Sequence, residues 1–296
     1  MKILVTGAGG YLGSALVPEL VSLGHEVFAL DCADFGNPHV ARPGWAPDGV
    51  RFELNKDLRS VTPGTFQDGD LDAVIHLAAI TDTALCEKEA ELAESIHVEG
   101  TKVAMSFPAA KRIHISTGSV YGLATGQRTE SDAIKPVGVY DITKAKGEDV
   151  ALAAGATVLR LNYLGGYAPG TRWQEVTNRL AFDAVVGKHV EVWDPDITQP
   201  FTNIHDAVWA IRLALLDAGL TGLFNVFSEN MKRGKFCDFA TEIGSQVATK
   251  SVGRARELLL DSSPFRRATG WETNMGRVHD GFMDAAIGAK REPYEV

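Results

Sequence analysis

A short apolar run, Ile3-Leu4-Val5, breaks into a turn with glycine at every third position, Gly7, Gly10 and Gly13, and then into a helical pattern. That is a strand, a tight turn and a helix start. Glycine at these positions lets the backbone turn sharply, lets a diphosphate approach without a Cβ in the way, and lets the helix pack close on the strand. The N–H groups at the helix start then face an anion. The spacing is G-x-x-G-x-x-G rather than the G-x-G-x-x-G of the usual dinucleotide fingerprint, so its place directly after an N-terminal strand is what gives it weight. A second strand, Glu26 to Leu30, ends at Asp31, about 20 residues beyond the turn, where a carboxylate accepts bonds from an adenosine ribose. That carboxylate would repel a ribose 2′-phosphate, so NAD is expected over NADP. A solvated strand-end acid is the plainer reading of the same residue.

With 296 residues, 45% hydrophobic and 23% charged, the chain is long enough for one large domain or two unequal ones and too apolar for disorder. Its formal charge of -9 argues against nucleic acid as a partner, because phosphate binding needs a basic face, and pairs such as Arg266-Arg267 read as solvated charge. The three cysteines, Cys32, Cys86 and Cys237, give neither a disulfide framework nor a zinc spacing. No metal is expected, and a reducing cytoplasm fits. The N-terminal apolar run stops at Thr6, and no stretch approaches the roughly 20 apolar residues of a membrane span, so no membrane partner is expected.

After Asp31 a Pro/Gly/Asp-rich loop, Cys32 to Gly49, leads to a strand from Val50 to Leu54 that ends near Asp57-Leu58. Asp57 suits the adenine edge of a bound nucleotide and equally suits a turn. Asp72 to Leu77 reads as a fully buried parallel strand, and Ala78-Ala79 follow where a cofactor would pass the carboxyl ends of the strands. His76, inside that apolar run, reads as a satisfied core histidine rather than a ligand. Glu87 to Ser106 has helical periodicity with an acidic first half, and Ile113 to Ser116 is the next strand. The β/α alternation, with no internal repeat, predicts an α/β fold with a doubly wound parallel sheet and right-handed crossovers. Ala156 to Leu161 supplies another strand. Beyond it Gly165, Gly166, Pro169 and Gly170 loosen the chain before a helical stretch from Trp173 to Val186. His205 to Leu216 is helical and Leu223 to Phe227 a strand. A dinucleotide-binding domain is therefore expected over residues 1–162, with 201–227 returning to it, and a smaller, discontinuous substrate domain from the rest of 163–296.

Tyr140 and Lys144 are four apart in a segment, Val139 to Ala151, that reads as helical, so both side chains share one face. A free phenol has a pKa near about 10, but a neighbouring ammonium and a positive nicotinamide ring both favour the phenolate. Tyrosine can then exchange a proton with a substrate hydroxyl while hydride moves to or from the ring. Ser116-Thr117-Gly118-Ser119 falls at the carboxyl end of the fifth strand, where ligands of open α/β sheets bind. A hydroxyl there can orient the substrate oxygen, and a plain Ser/Thr turn is the alternative.

With these pieces in order, the chain resembles the extended short-chain dehydrogenase/reductase family, the NAD-dependent epimerases and dehydratases. The matching pieces are TGAGGYLG at Thr6–Gly13, Asp31, Asp57-Leu58, HLAA at His76–Ala79, STGSVYG at Ser116–Gly122, Tyr140-x-x-x-Lys144, PFTNIHD at Pro200–Asp206, FNV at Phe224–Val226 and Gly270-Trp271, so the resemblance covers nearly the whole chain. It implies that Thr117 is the catalytic hydroxyl, Tyr140 the acid/base, and Lys144 its partner and a ribose contact. It further implies that Gly7, Gly10, Tyr11, Leu12 and Gly13 hold the diphosphate and Asp31 the adenosine ribose, with Asp57, Leu58, Leu77, Ala78 and Ala79 along the cofactor. A homodimer through the helix that carries Tyr140 is also implied.

Several positions depart from the family pattern. His97 stands where N-V-x-G-T has its asparagine, and in L-R-x-x-N the asparagine falls one position early, at Asn162, with Tyr163 in its place. Gln199 stands where an arginine usually contacts the diphosphate of a nucleotide-sugar, and Arg254 or Arg256, or else Arg172 or Lys188, would have to replace it. Thr81 and Ser119 complete the expected substrate contacts. The reading that follows is an NAD-dependent sugar-modifying enzyme, a nucleotide-sugar epimerase. Gly118-Ser119 supplies no carboxyl pair for a 4,6-dehydration. The alternatives are an NAD-dependent dehydrogenase or reductase of a free sugar, sugar acid or small hydroxy compound, and a non-catalytic dinucleotide sensor. Titration calorimetry tests the cofactor: NAD is expected to bind far better than NADP, and Asp31→Ala to narrow the gap. Equal affinities in the wild type would discard the role given to Asp31.

Overall fold

The computed structural model describes residues 1–32, 47–48, 50–54, 56–62, 71–123, 126–253, 255–273 and 277–291. Ile3, Leu4 and Val5 are fully buried in β1 (Lys2–Thr6) because sheet neighbours flank the strand on both sides and helices cover both faces. The sheet also contains β2 (Glu26–Asp31), β3 (Arg51–Leu54), β4 (Leu71–His76), β5 (Ala109–Thr117), β7 (Thr157–Leu161) and β11 (Gly222–Asn225), in the order β11-β7-β5-β4-β1-β2-β3. Every neighbouring pair is parallel. Thr6 is level with Leu30 on one side and His76 on the other, so the carboxyl ends of β1, β2 and β4 form one edge. The direction of winding reverses between β1 and β4, which opens a crevice at that edge.

The two faces follow from the period-2 alternation of a strand. Ile3 and Val5 meet α1 (Tyr11–Ser22) and α7 (Ile204–Leu216) through Leu16, Leu20, Ile211 and Leu215. Leu4 faces the opposite layer, with Phe28, Val74 and Val158 against α4 (Gly100–Ser106) and α5 (Val139–Ala153). The helix expected from Glu87 to Ser106 is instead divided into α2 (Thr83–Lys88), α3 (Ala90–Glu94), a π-helical turn at Ser95–Glu99 and α4. Glu89, with φ -121° and ψ 59°, leaves the helical region and breaks the first join. His76 is buried, with Nδ1 2.7 Å from Thr6 Oγ1 and Nε2 3.0 Å from Thr101 Oγ1, which satisfies both ring nitrogens inside the core.

A second core gathers Trp173, Phe182, Phe201, Phe236 and Phe282. It is built from α6 (Val176–Val185), α8 (Lys235–Glu242), α10 (Arg277–Arg291) and the strands β9 (Val190–Trp193), β10 (Thr198–Asn203), β12 (Glu229–Lys232) and β13 (Val247–Lys250). β10 pairs antiparallel with β12 and parallel with the short β8 (Leu164–Gly165). β6 (Gln127–Arg128) pairs with β14 (Leu259–Leu260), and α9 (Ser263–Thr269) buries Phe265 against Trp271. No helix among the described residues is long and apolar enough to cross a membrane.

One buried ion pair ties helix α5 to the sheet. Arg160 on β7 donates from Nε to Glu148 Oε1 at 2.9 Å and from Nη2 to Glu148 Oε2 at 2.6 Å, with both side chains 3% exposed. Ser116 on β5 donates to the same Glu148 Oε1 at 2.5 Å. Removing one partner leaves the other charge buried and uncompensated, which costs about 3–5 kcal/mol. Arg160→Met is therefore expected to lower the unfolding free energy by that order in a denaturant titration. Arg179→Met, which breaks the half-exposed Arg179–Asp183 pair, is expected to change it by less than about 1 kcal/mol.

Candidate active site

The glycine turn is a cradle that side chains cannot share. A Cβ at Gly7, where φ is +70°, would lie 2.7 Å from Ala78 N, and one at Gly13 would lie 2.3 Å from Gly7 O. Gly10 caps α1 without a side-chain hydrogen bond, so the first N–H groups of that helix face the crevice. This absence of side-chain bulk and this surplus of donors suit a dinucleotide diphosphate. Asp31 Oδ2 accepts from Gly9 N at 2.9 Å, which joins the end of β2 to the turn. Tyr11 is turned away from the diphosphate position: its hydroxyl donates to Gly166 O at 2.5 Å and accepts from Asn178 Nδ2 at 3.0 Å. Only its backbone remains available to a cofactor.

From this cradle a cleft of about 600 Å³ runs along the carboxyl edge of the sheet. Its wall brings together all the cofactor residues expected from the sequence, from the glycine turn and Asp31 through Asp57-Leu58 to Leu77, Ala78 and Ala79. Asp57, read as adenine edge or turn, caps the turn Leu58–Ser60 by accepting from Arg59 N at 2.8 Å and pairs with the Arg59 guanidinium. Thr117, Tyr140 and Lys144 stand in the same cleft. Lys144 donates from Nζ to Ile115 O at 2.6 Å, and burial pulls its pKa down to about 8, partly opposed by the Glu148 carboxylate. The Tyr140 phenol is pushed well above its ordinary range, by burial first and then by the Glu175 and Asp141 carboxylates. Arg172 and a hydrogen bond with Thr117 oppose the rise.

His97, on the π-helical turn, ties the neighbouring pieces together. Its Nδ1 lies 2.7 Å from Thr143 Oγ1 on α5, and its Nε2 lies 3.1 Å from Ile80 N and 2.9 Å from Ile80 O. The ring meets Tyr140 edge-on at 5.8 Å.

The expected substrate contacts divide. Thr81, Ser119, Asn162 and Tyr163 are on the cleft wall, and Asn162 Nδ2 is buried toward Gly118 without a hydrogen-bond partner among the described residues. Tyr163 has φ 26°, a region that side-chain-bearing residues seldom adopt. Gln199 is behind the wall: its Nε2 donates to Tyr163 Oη at 3.2 Å and to Arg256 O at 3.0 Å, and its Oε1 accepts from Arg233 Nη1 at 2.9 Å. Arg256 joins this group through its backbone carbonyl, and Arg254 lies outside the described residues. Lys188 sits over the Phe182 ring at 5.9 Å, on the second core. Of the cations weighed for a diphosphate, Arg172 is the one on the cleft wall among the described residues, bonded to Thr81 Oγ1 and 2.9 Å from Glu175 Oε1. The sequence reading passed over Asp141, Glu175, Lys56 and Arg59, all on the wall. For Asp141 a signal existed, its place directly after Tyr140 on the same helix turn; the others carry no local pattern.

A glycine cradle at the winding reversal of a parallel sheet, beside a half-buried tyrosine and a buried lysine, defines a dinucleotide-binding enzyme of the doubly wound α/β class. The model of the NAD dependent epimerase/dehydratase family matches residues 3–226. The chain belongs to that family, and NAD is its cofactor. Spore coat polysaccharide biosynthesis protein SpsK of Bacillus subtilis is 31% identical over 187 residues, 61% of this chain and 59% of that protein. A probable low-salt glycan biosynthesis reductase of Haloferax volcanii is 29% identical over 288 residues, 89% of this chain and 90% of that protein. The fold is also that of UDP-glucuronic acid 4-epimerase from Bacillus cereus in complex with UDP-glucuronic acid and NAD. The TM-score is 0.86 and the identity 24%, over 98% of this chain and 99% of that one.

The lowered pKa of Lys144 gives a signed pH dependence. Below about pH 8 folded and unfolded chains both hold the proton and the burial penalty is constant; between about 8 and 10.5 the unfolded chain holds more. Stability therefore rises with pH across that window. The unfolding free energy of the wild type minus that of Lys144→Met is expected to climb there and to stay flat below pH 8. A difference that is flat throughout would return Lys144 to ordinary acidity.

Proposed function

We propose that the protein is a nucleotide-sugar epimerase in which Tyr140 is the acid/base, Thr117 orients the reacting oxygen, and Lys144 supports both the phenol and the cofactor ribose. The observation that carries this reading is the convergence of Thr117, Tyr140 and Lys144 on one cleft continuous with the glycine cradle. Bound NAD supplies the hydride acceptor and donor. As the phenolate, Tyr140 takes the proton of the sugar hydroxyl and, as the phenol so formed, returns it, and Lys144, held by Ile115 O, favours the phenolate by its positive charge while protonated. Arg172, of the cations weighed the one on the cleft wall among the described residues, is the candidate to meet a diphosphate. Near the phenol, Glu175 is paired with Arg172 and Asp141 accepts from Ser119. Gly118-Ser119 after Thr117 brings no carboxyl pair to the reacting carbon, which favours epimerisation over dehydration. Family resemblance further supports a homodimer through α5, where Ile142 is 39% exposed.

Gln199 in place of an arginine favours a second reading, net dehydrogenation or reduction of a sugar without a nucleotide. Incubation with UDP-glucose or UDP-glucuronic acid and no added cofactor separates the two. An epimerase that retains its NAD converts the sugar to its epimer, seen by NMR; a dehydrogenase needs added cofactor and accumulates its reduced or oxidised form. Failure of every nucleotide-sugar to react or bind would move the assignment to the second reading. In the same assay Tyr140→Phe is expected to fold normally and to lower kcat by about 10²–10⁴, with little change in NAD affinity measured by calorimetry. Activity within a few-fold of the wild type would remove Tyr140 from the chemistry.

A further inference from the structure

The Tyr163 phenol is held from one side only. Gln199 Nε2 donates to Tyr163 Oη at 3.2 Å and to Arg256 O at 3.0 Å, and Gln199 Oε1 accepts from Arg233 Nη1 at 2.9 Å. The direction of this set follows from its two ends. A guanidinium has no acceptor and a carbonyl has no donor, so the amide oxygen faces Arg233 and the two amide hydrogens face Arg256 O and the phenol. Tyr163 Oη is therefore the acceptor toward Gln199, and its own proton is left for another group. Among the described residues nothing takes that proton. Packing of the ring on Phe201, at 5.4 Å between centroids, accounts for an aromatic side chain here but not for its hydroxyl.

Behind the amide stands a charge that no carboxylate neutralises. Arg233, just after β12, is half-buried, donates from Nε to Trp193 O at 2.8 Å, and has no ion pair among the described residues. Burial pushes the Tyr163 pKa up, and the Arg233 charge and then the Gln199 hydrogen bond oppose the rise, as a cation and a donor behind the phenol oxygen must. Glu175 and Asp141, on the cleft wall with Tyr163, add to the rise, so the hydroxyl is within electrostatic reach of the cleft. A diphosphate brings two negative charges into that space. Arg172, already 2.9 Å from Glu175 Oε1, offsets only part of them.

We propose that Tyr163 donates its hydroxyl proton to a diphosphate oxygen of the substrate, with Gln199 and Arg233 as positioning residues behind it. Gln199 turns the hydroxyl proton toward the cleft, and Arg233 supplies from after β12 the positive charge that position 199 lacks. The diphosphate rests on the nucleotide-sugar reading; the direction of the hydrogen bonds does not.

The test titrates UDP, inorganic pyrophosphate and glucuronate by calorimetry into NAD-loaded enzyme, in which the cofactor's own diphosphate site is filled. Tyr163→Phe keeps the ring on Phe201 and is expected to weaken UDP and pyrophosphate about 10- to 100-fold, the range for a hydrogen bond to a charged group. Its thermal unfolding and NAD affinity are expected to stay close to those of the wild type. Gln199→Glu keeps the shape and reverses the line, because its carboxylate takes the Tyr163 proton and neutralises Arg233. It is expected to weaken UDP strongly in the wild type and much less in Tyr163→Phe, whereas plain repulsion by the new charge would act equally in both. Arg233→Met is expected to weaken UDP several-fold, and Arg233→Lys, which keeps a charge and a donor, to restore most of the loss. In turnover of UDP-glucose by Tyr163→Phe, KM is expected to rise more than kcat falls.

Unchanged UDP affinity in Tyr163→Phe overturns the proposal, and so does a loss confined to glucuronate, whose anion is on the sugar. If UDP-sugars are epimerised while Tyr163→Phe binds UDP as the wild type does, the proposal falls and the epimerase reading stands. If UDP and pyrophosphate weaken as expected while no UDP-sugar reacts, Tyr163 keeps its role and the epimerase reading falls.

Discussion

The buried pairing of Arg160 with Glu148 is the contact on which the arrangement of the cleft depends. Tyr140, Lys144 and Glu148 follow one another at intervals of four along α5, so they share a stripe of that helix. Glu148 anchors the inner end of the stripe to β7 through Arg160 and to β5 through Ser116, next to Thr117. The Arg160 guanidinium also lies over the Tyr121 ring at 4.7 Å, on the turn that follows β5. An ion pair this deep gains little net stability over well-packed apolar side chains, since desolvating both charges offsets most of their attraction. Its bidentate geometry supplies direction instead. It sets the rotation and height of α5 on the sheet, and with them the distance from phenol to threonine.

A second set of bonds holds the opposite wall. His97 connects the loop after β4, at Ile80, to Thr143 on α5, so both sides of the crevice refer to the same helix. Burial and the nearby Lys144 ammonium keep this histidine's pKa down at about 3, so at neutral pH it is an uncharged hydrogen-bonding spacer. The role is one of joining strand, loop and helix, and an imidazole reaches both partners. Where the family pattern has its diphosphate arginine, Gln199 gathers Tyr163, Arg233 and the Arg256 carbonyl behind the wall. The cation near the reacting end comes instead from Arg172, on the segment that crosses the N-terminus of α1 with Gly170 N donating to Ser14 Oγ at 2.9 Å.

Much of this was legible in the chain because it is local. The strand, glycine turn and helix at Lys2 to Ser22 follow from apolar periodicity and from turns that exclude a Cβ, both properties of a few consecutive residues. The Tyr140–Lys144 stripe follows from the helical repeat, and the parallel sheet from the alternation of elements. The continuous helix drawn over Glu87 to Ser106 is broken at Glu89 and wound as a π turn at His97, because tertiary bonds to Ile80 and Thr143 outweigh helical propensity there.

The sequence by itself determined which residues can hold a diphosphate and which can move a proton, since those depend on chemical type and short spacing. Only the tertiary structure decided which cation enters the cleft, where Gln199 points, and which hydroxyl Asp141 accepts from. Arg172, Gln199 and Asp141 meet partners from other elements, such as Thr81, Tyr163 and Ser119. A hydrogen bond's partner and direction are fixed by the position of both groups in space, and no pattern along one segment carries that information.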